Sequence, residues 1–160
     1  MPNHPLLRYT HEFRVAYHQT DGQRRVHHSN YLNFFEDARV EMLRAAGIAY
    51  KDIEDSGRLL VVTQMNVQYH AAADFDDWLR IDVEVTKIRK VRLHHHYEVI
   101  RPSQQGSSQQ GTGQQGTGQR NTGQRNTEQR IASADSTIAC VGPDGRPKRL
   151  PEAFFALKNL

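Results

Sequence analysis

The stretch TDGQRRVHHSNYLNFFEDARVEML, residues 20–43, decides the fold because it sets a polar segment directly before a helical run. From Tyr31 onward, apolar residues recur at helical spacing, and Gly47 is a typical helix stop. The apolar positions are 31, 34, 35, 38, 42, 45 and 46. We therefore predict one long helix with an apolar face, preceded by a segment rich in charge that we call the helix mouth (residues 20–30).

The rest of the chain shows the alternation of β-strands. We predict strands at 11–17, 59–70, 77–90, 91–101 and 131–141. The first strand is expected to set Phe13, Val15 and Tyr17 on one face. Short helices are expected at 49–57 and at 150–160. One long helix facing an antiparallel sheet of about five strands is an α+β architecture. Because one helix leaves the sheet edges open, we expect homo-oligomers that cover an edge.

A low-complexity segment interrupts this pattern at residues 103–130. It consists largely of short Gln-, Gly- and Thr-rich repeats and contains no residue from the set AVILMFWYC. Without it, the apolar fraction rises from 37% to roughly 45%, which is ordinary for a globular domain. We interpret it as a flexible insertion in a single domain of 160 residues. A segment that recruits a partner protein is the alternative.

Charge and cysteine content narrow the class of protein. The net charge is +3, of which the insertion supplies +2, and the remaining chain has no Lys/Arg-rich run. We therefore expect no nucleic-acid partner. A lone cysteine, Cys140, rules out an intrachain disulfide and fits a reducing compartment. With no signal-peptide core and no run of about 18 apolar residues, we predict a cytoplasmic protein without a membrane span.

The helix mouth has residue types suited to acyl-transfer chemistry. A helix N-terminus presents unpaired N–H groups and positive potential, which stabilise an oxygen that becomes anionic. Ser29 or Asn30 is the expected N-cap, which sets the N–H of His28 at that end. Asp21, on a glycine-containing loop, can attack a polarised carbonyl or activate water. A purely structural role for Asp21 is the alternative.

The same stretch resembles the signature of hotdog-fold acyl-CoA thioesterases of the 4-hydroxybenzoyl-CoA thioesterase type, including the Tol-Pal-associated members. That signature is roughly T-D-x-x-G-x-V-x-H-x-N-Y-x-x-x-F-E-x-A-R. The residues that match it in register are Thr20, Asp21, Val26, His28, Asn30, Tyr31, Phe35, Glu36, Ala38 and Arg39. Similarity continues through residues 46–57, 67–77 and 140–154.

The resemblance implies a hotdog fold, in which a curved antiparallel sheet wraps a long central helix, and assembly into dimers or tetramers. It implies hydrolysis of an acyl-CoA thioester without a metal or redox cofactor. Asp21 is implied to be catalytic, as nucleophile or general base, and the His28 N–H to polarise the thioester carbonyl, with the His28 side chain also implicated. The substrate-binding residues we assign are Ser29, Asn30, Tyr31, Arg24 and Arg25.

Two positions depart from the family pattern. Arg24 stands where the family has glycine, so the loop is expected to resist positive φ. Ala72 stands where the family has proline. Arg24 and Arg25 can grip coenzyme A phosphates or be merely solvated. The runner-up function is therefore a non-catalytic acyl-CoA or acyl-carrier binding module in which Arg24 closes the site.

Other conspicuous residues receive structural interpretations. In the run HHH at 94–96, alternation along a strand separates His95 from its two neighbours, so we expect no metal site. Glu36 is expected to form an ion pair with Arg39, three residues later. The aromatic residues 31, 34 and 35 are expected in the core, with one of them lining an acyl pocket as the alternative.

Overall fold

The chain folds as a five-stranded antiparallel sheet with one long helix, in a computed structural model that describes residues 7–103 and 128–155. Two 3-10 turns, at 17–19 and 152–154, accompany the main elements. The strand order is β1-β3-β4-β5-β2, so β1 and β2 are the edges. The α+β prediction is confirmed. The elements are β1 (Arg8–Arg14), α1 (Asn30–Ala45), α2 (Tyr50–Asp55), β2 (Leu59–Tyr69), β3 (Trp78–Ile88), β4 (Arg92–Arg101) and β5 (Gln129–Val141).

The long helix α1 buries its apolar face across the width of the sheet. Phe34 packs on Phe13 of β1 with ring centres 4.5 Å apart, and Phe35 packs on Tyr97 of β4 at 4.9 Å. Gly47, with φ 75°, ends the helix as predicted. No helix within the described residues is long and apolar enough to span a membrane.

The buried stripe of α1 differs from the predicted one at its C-terminal end. Leu43 is buried and Ala45 is exposed, although helical spacing favours position 45. The chain folds back after Gly47, so that Leu43 shares a cavity wall with Tyr50 and Phe154. Tertiary contacts from later segments therefore override the local periodicity.

The first strand begins earlier and ends earlier than predicted. Its pairing with β3 stops at Arg14, opposite Trp78. The expected placement of Tyr17 on the Phe13 face is wrong, because residue 17 begins a 3-10 turn. The Tyr17 side chain is 78% exposed and lies edge-on to Phe75 at 5.6 Å.

The boundary of the predicted insertion is also corrected. Gln129 and Arg130 open β5 and pair with the end of β4, although neither is apolar. Strand pairing through backbone hydrogen bonds does not require an apolar side chain. Residues 104–127 lie outside the described residues, as does most of the terminal helix predicted at 150–160. The single interrupted domain remains a prediction.

Bulges shape the sheet around the helix. The ladders shift register between Val62 and Gln64, between residues 85 and 87, and between residues 99 and 100. A bulge increases the local twist and bends its strand. The sheet can therefore curve towards α1 and contact it from both β1 and β4.

The loop that carries Asp21 is a tight hairpin turn. The N–H of Arg24 donates to the Asp21 carbonyl at 2.9 Å, and the N–H of Asp21 donates to the Arg25 carbonyl at 2.9 Å. Asp21 Oδ1 accepts the N–H of Gln23 at 2.8 Å. Arg24 has φ 63°. This combination is the common three-residue hairpin, a type I turn followed by a left-handed residue.

The expectation that Arg24 would keep the loop from positive φ is wrong. Thr20 pairs with Val26 at the base of the hairpin. Because this pairing closes the turn, Arg24 is held in the left-handed conformation. Such a conformation costs about 1 kcal/mol or more for a non-glycine residue. The Arg24 side chain is exposed and has no partner among the described residues, so no contact offsets that cost.

Restoring glycine should stabilise this turn. We expect Arg24→Gly to raise the free energy of unfolding by about 1 kcal/mol, because glycine adopts φ > 0 without strain. Gln23→Gly is the matched control at a position without positive φ, and it should lower stability by about 0.5 kcal/mol through the entropy of the unfolded chain. Urea titration measures both, and a less stable Arg24→Gly protein would contradict the strain argument.

The aromatic face of α1 should dominate stability. Phe35 is fully buried, so we expect Phe35→Ala to cost about 3–5 kcal/mol. Leu32 lies on the same helix at 47% exposure, and Leu32→Ala should change stability by no more than about 0.5 kcal/mol. Denaturant midpoints at one protein concentration compare the two variants. Equal losses would show that α1 does not anchor the core.

Candidate active site

The helix mouth presents an open backbone donor. The N–H groups of residues 30–32 are engaged, donating to the carbonyls of residues 27–29 at 2.9, 3.4 and 3.3 Å. The N–H of Ser29 faces His27 Nδ1 at 3.4 Å. In the part of the chain that the structure describes, the N–H of His28 has no acceptor. This donor lies at the positive end of the helix dipole and is available to a ligand oxygen.

The predicted side-chain cap is absent at the start of α1. Ser29 occupies the N-cap position, but its backbone is helical and its hydroxyl contacts His27 Nδ1 at 2.8 Å instead. Asn30 Nδ2 donates to the Gln19 carbonyl at 2.7 Å, and that carbonyl also accepts the His27 N–H at 2.9 Å. Gln19 therefore fastens the preceding loop to the first turn of the helix.

Asp21 and His28 lie on the same loop, which the Gln19 carbonyl fastens to the first turn of the helix. Asp21 is half-buried, with Oδ1 held by the Gln23 N–H. His28 is exposed, and its ring lies tilted against that of His27 with centres 4.1 Å apart. No hydrogen bond joins Asp21 to His28 within the described residues. Both groups are ordered by neighbours that leave Asp21 Oδ2 and the His28 N–H open.

Tyrosines from the helix and from β2 hold the other side of the mouth. Tyr69 Oη donates to the His28 carbonyl at 3.2 Å, and the Tyr69 ring lies edge-on to Tyr31 at 5.2 Å. Burial, together with the Tyr69 hydroxyl nearby, raises the pKa of Tyr31 to about 12, so it stays protonated at neutral pH. Tyr31 is 3% exposed and is a core residue within the chain. Tyr69 thus orients the peptide carbonyl of His28.

A chain of ion pairs fixes the hairpin turn to the sheet. Arg25 pairs with Asp74, whose backbone N–H donates to Asp77 Oδ2 at 2.7 Å. Asp77 in turn accepts from Arg101, the last residue of β4. Arg101 also donates to the Ala72 carbonyl at 3.0 Å. Because Asp21 bonds the Arg25 carbonyl, this chain sets the position of Asp21 relative to the sheet.

The arginines predicted to bind substrate therefore differ in environment. The guanidinium of Arg25 is occupied by Asp74, whereas that of Arg24 points from the turn with no partner among the described residues. The sequence interpretation missed Gln19. Its contacts to the helix mouth are made by the backbone carbonyl, so the residue type does not indicate them. Asp74 and Asp77, which connect the turn to the sheet, fall within the stretch at residues 67–77 that resembles the family, but the sequence did not indicate their ion pairs.

The histidines of β4 lie on two faces of the sheet. His95 is buried towards α1, while His94 and His96 lie on the opposite face and are only partly buried. His96 Nδ1 contacts Asp135 at 2.9 Å. In the residues described, no group of three or more His, Cys, Asp or Glu side chains could hold a metal ion.

The expected ion pair between Glu36 and Arg39 is not formed. Arg39 turns towards the sheet, and its Nη1 donates to Tyr97 Oη at 3.3 Å, while Glu36 is exposed. The two residues are three apart on the helix, but the buried hydroxyl offers the guanidinium a partner in the interior. Arg39 is consequently half-buried beside His95.

Comparison with known proteins places the chain in a family. A model of the thioesterase superfamily matches residues 23–107, more than half of the chain, and begins just after Asp21. The acyl-CoA thioester hydrolase YbgC of Escherichia coli is 39% identical over 80 residues, covering 50% of this chain and 60% of that protein. The acyl-CoA thioesterase YbgC of Haemophilus influenzae is 33% identical over 89 residues, covering 55% and 65%.

A solved structure shows the same fold over nearly the whole length. The DHNA-CoA thioesterase of Staphylococcus aureus superposes with a TM-score of 0.75 at 21% identity, covering 96% of this chain and 92% of that one. The hotdog fold implied by the signature is thereby confirmed. The sequence matches, by contrast, span only about three fifths of the curated relatives' length. By the family model that matches more than half of its residues, the chain belongs to the thioesterase superfamily.

Proposed function

We propose that this protein hydrolyses an acyl-CoA thioester to a free acid and coenzyme A. The observation that carries the proposal is the open N–H of His28 just before helix α1, on the same loop as the Asp21 carboxylate. The related proteins named as acyl-CoA thioester hydrolases support the substrate class.

The proposed reaction follows from these two groups. The thioester carbonyl oxygen accepts the His28 N–H, and the positive end of α1 stabilises the negative charge that develops there. Asp21 either adds to the carbonyl carbon, giving an anhydride that water opens, or takes a proton from water that adds directly. In both routes the carbon–sulfur bond breaks, and the coenzyme A thiolate leaves and is protonated.

The flanking residues have proposed binding roles. Ser29 and Asn30 border the carbonyl site, and Tyr31 supports it from the core. Arg24, exposed at the tip of the turn, is the better placed of the two arginines to contact a coenzyme A phosphate, because Arg25 is held by Asp74.

We propose no cofactor. A cytoplasmic location is proposed on the basis of the single, unpaired Cys140.

Removing the carboxylate should abolish turnover without unfolding the protein. We expect Asp21→Asn to lower kcat by about 10²–10⁴-fold. The amide oxygen can still accept the Gln23 N–H, so the turn should persist and the unfolding midpoint should not move. Steady-state hydrolysis of a panel of acyl-CoAs, followed by release of the free thiol, measures the loss.

Asp37→Asn is the matched control, since it makes the same change at an exposed position of α1. It should leave hydrolysis unchanged. Near wild-type turnover by Asp21→Asn would refute the catalytic role. Tight binding of acyl-CoA by the unaltered protein without hydrolysis would favour the alternative, a non-catalytic binding module.

We further propose that two copies associate through β2. The exposed positions of the β1 edge are mostly charged, and Arg8 pairs with Glu84 of β3 while Arg14 pairs with Asp76 in the turn before β3. The β2 edge has 11 residues, contains no proline or charged residue, and exposes Val62 by 50% and Tyr69 by 50%. A long apolar edge of this kind is what strand-to-strand association covers.

A charge placed on this edge should separate the copies. We expect the unaltered protein to have the mass of a dimer or a dimer of dimers, and Val62→Lys to shift it to a monomer, because a lysine blocks edge pairing. Light scattering after gel filtration measures the mass. Glu12→Lys, on the β1 edge, should leave the mass unchanged. A monomeric unaltered protein would rule out association through β2.

A further inference from the structure

Arg101, the last residue of β4, connects that strand to two other segments of the chain. Its guanidinium donates to Asp77 Oδ2, to the Ala72 carbonyl at 3.0 Å and to the side chain of Gln129 at the start of β5. Asp77 Oδ2 also accepts the N–H of Asp74 at 2.7 Å. Arg101 therefore fixes both ends of the turn before β3 to the end of β4.

This turn is attached in its middle to the hairpin that carries Asp21. The N–H of Val26 donates to the Ala73 carbonyl at 2.8 Å, and Arg25 pairs with Asp74 both through the backbone and through an ion pair. The Asp21 N–H in turn donates to the Arg25 carbonyl at 2.9 Å. A shift of the turn before β3 is therefore passed on to Asp21 through consecutive hydrogen bonds.

The charges around Arg101 also lie close to the first turn of α1. Burial and the Tyr69 hydroxyl are the main causes that raise the pKa of Tyr31 to about 12, but the charges of Arg101, Asp77 and Asp74 act on it as well. Charges act in this way only over short distances. The ion pairs of the turn therefore border the helix mouth in addition to the hairpin.

Stability alone does not account for an arginine at this position. Arg101 Nε is buried and has no hydrogen-bond partner among the described residues, and a buried donor without a partner lowers stability. The Arg101 and Asp77 side chains are only 24% and 21% exposed. An ion pair removed from water is often no more stabilising than apolar side chains of similar volume. Positioning of another group is a role that does not require a gain in stability.

We propose that Arg101, together with Asp77, is a positioning residue for thioester hydrolysis, because it keeps the Asp21 carboxylate within reach of a carbonyl bound to the His28 N–H. The inference rests on the proposed thioesterase function. The contacts of Arg101 lead to the hairpin through the turn before β3, so it affects the reaction only through the place of Asp21. A displacement of about 1 Å in a reacting group can lower a rate by about 10²-fold.

The kinetics of Arg101→Gln test this role. We expect kcat to fall by about 10²-fold with little change in KM, because a displaced Asp21 affects the reacting groups rather than substrate binding. Arg101→Lys keeps the charge and should recover part of the loss. Arg130→Gln is the matched control, since Arg130 pairs with Glu98 instead, and it should leave kcat unchanged. An unaltered kcat in Arg101→Gln, or a loss confined to KM, overturns the proposal.

A cycle of double substitutions separates positioning from a general loss of structure. Residues that act as a unit in catalysis show losses that do not multiply. In Asp21→Asn protein, adding Arg101→Gln should therefore cause almost no further loss of kcat. A further loss of about 10²-fold would show that Arg101 acts independently of Asp21, and it overturns the proposal.

A second variant keeps the test decisive if Arg101→Gln does not fold, which thermal unfolding checks. Asp77→Asn retains an oxygen for the Asp74 N–H but removes the charge that pairs with Arg101. It should lower kcat and combine with Asp21→Asn in the same way, and multiplied losses would again overturn the proposal. Absence of thioester hydrolysis by the unaltered protein instead refutes the thioesterase function itself.

Discussion

Burial of the apolar face of α1 is the constraint on which the rest of the structure depends. Phe34 and Phe35 pack on aromatic residues of β1 and β4, which lie on either side of β3. Removing such side chains from water contributes roughly 1.5–3 kcal/mol each. Because the helix cannot rotate or slide without losing these contacts, its first turn is held at a defined place, and so is the open N–H of His28.

The loop before the helix is held in position by two different kinds of contact. On the helix side, the Gln19 carbonyl accepts from His27 and from Asn30. On the sheet side, Arg25 and Asp74 connect the hairpin to Arg101 at the end of β4. The strained residue at position 24 lies between them. The Asp21 carboxylate is thereby positioned by the backbone of its own loop, including the Gln23 N–H that it accepts, rather than by a partner side chain.

The two edges of the sheet differ in the side chains that they expose. Charges protect the β1 edge, whereas β2 exposes apolar residues. Beneath β2, polar side chains that include His95 and Arg39 line a cavity whose walls are mainly apolar. The β2 edge is therefore the one that we propose for association.

The sequence by itself determined the elements, the α+β class and the residue types gathered at the helix mouth. Period-two and period-3.6 patterns locate five strands and α1 because local burial is repeated along the chain. The signature also indicated the family, which the comparisons show. It could not specify Leu43 in place of Ala45, or the exposed Tyr17, because segments distant in sequence decide which side of an element is covered.

Tertiary structure alone decided the finer geometry of the site. The left-handed Arg24, the backbone role of Gln19 and the inward turn of Arg39 all depend on contacts that no local pattern records. His95 illustrates the difference. Alternation places it on the face opposite its two neighbours, but only the fold shows that this face is buried and that the His95 side chain lines a cavity. The sequence gives residue types directly, whereas the hydrogen-bond partners and orientations of side chains are set by packing between segments that are distant in sequence.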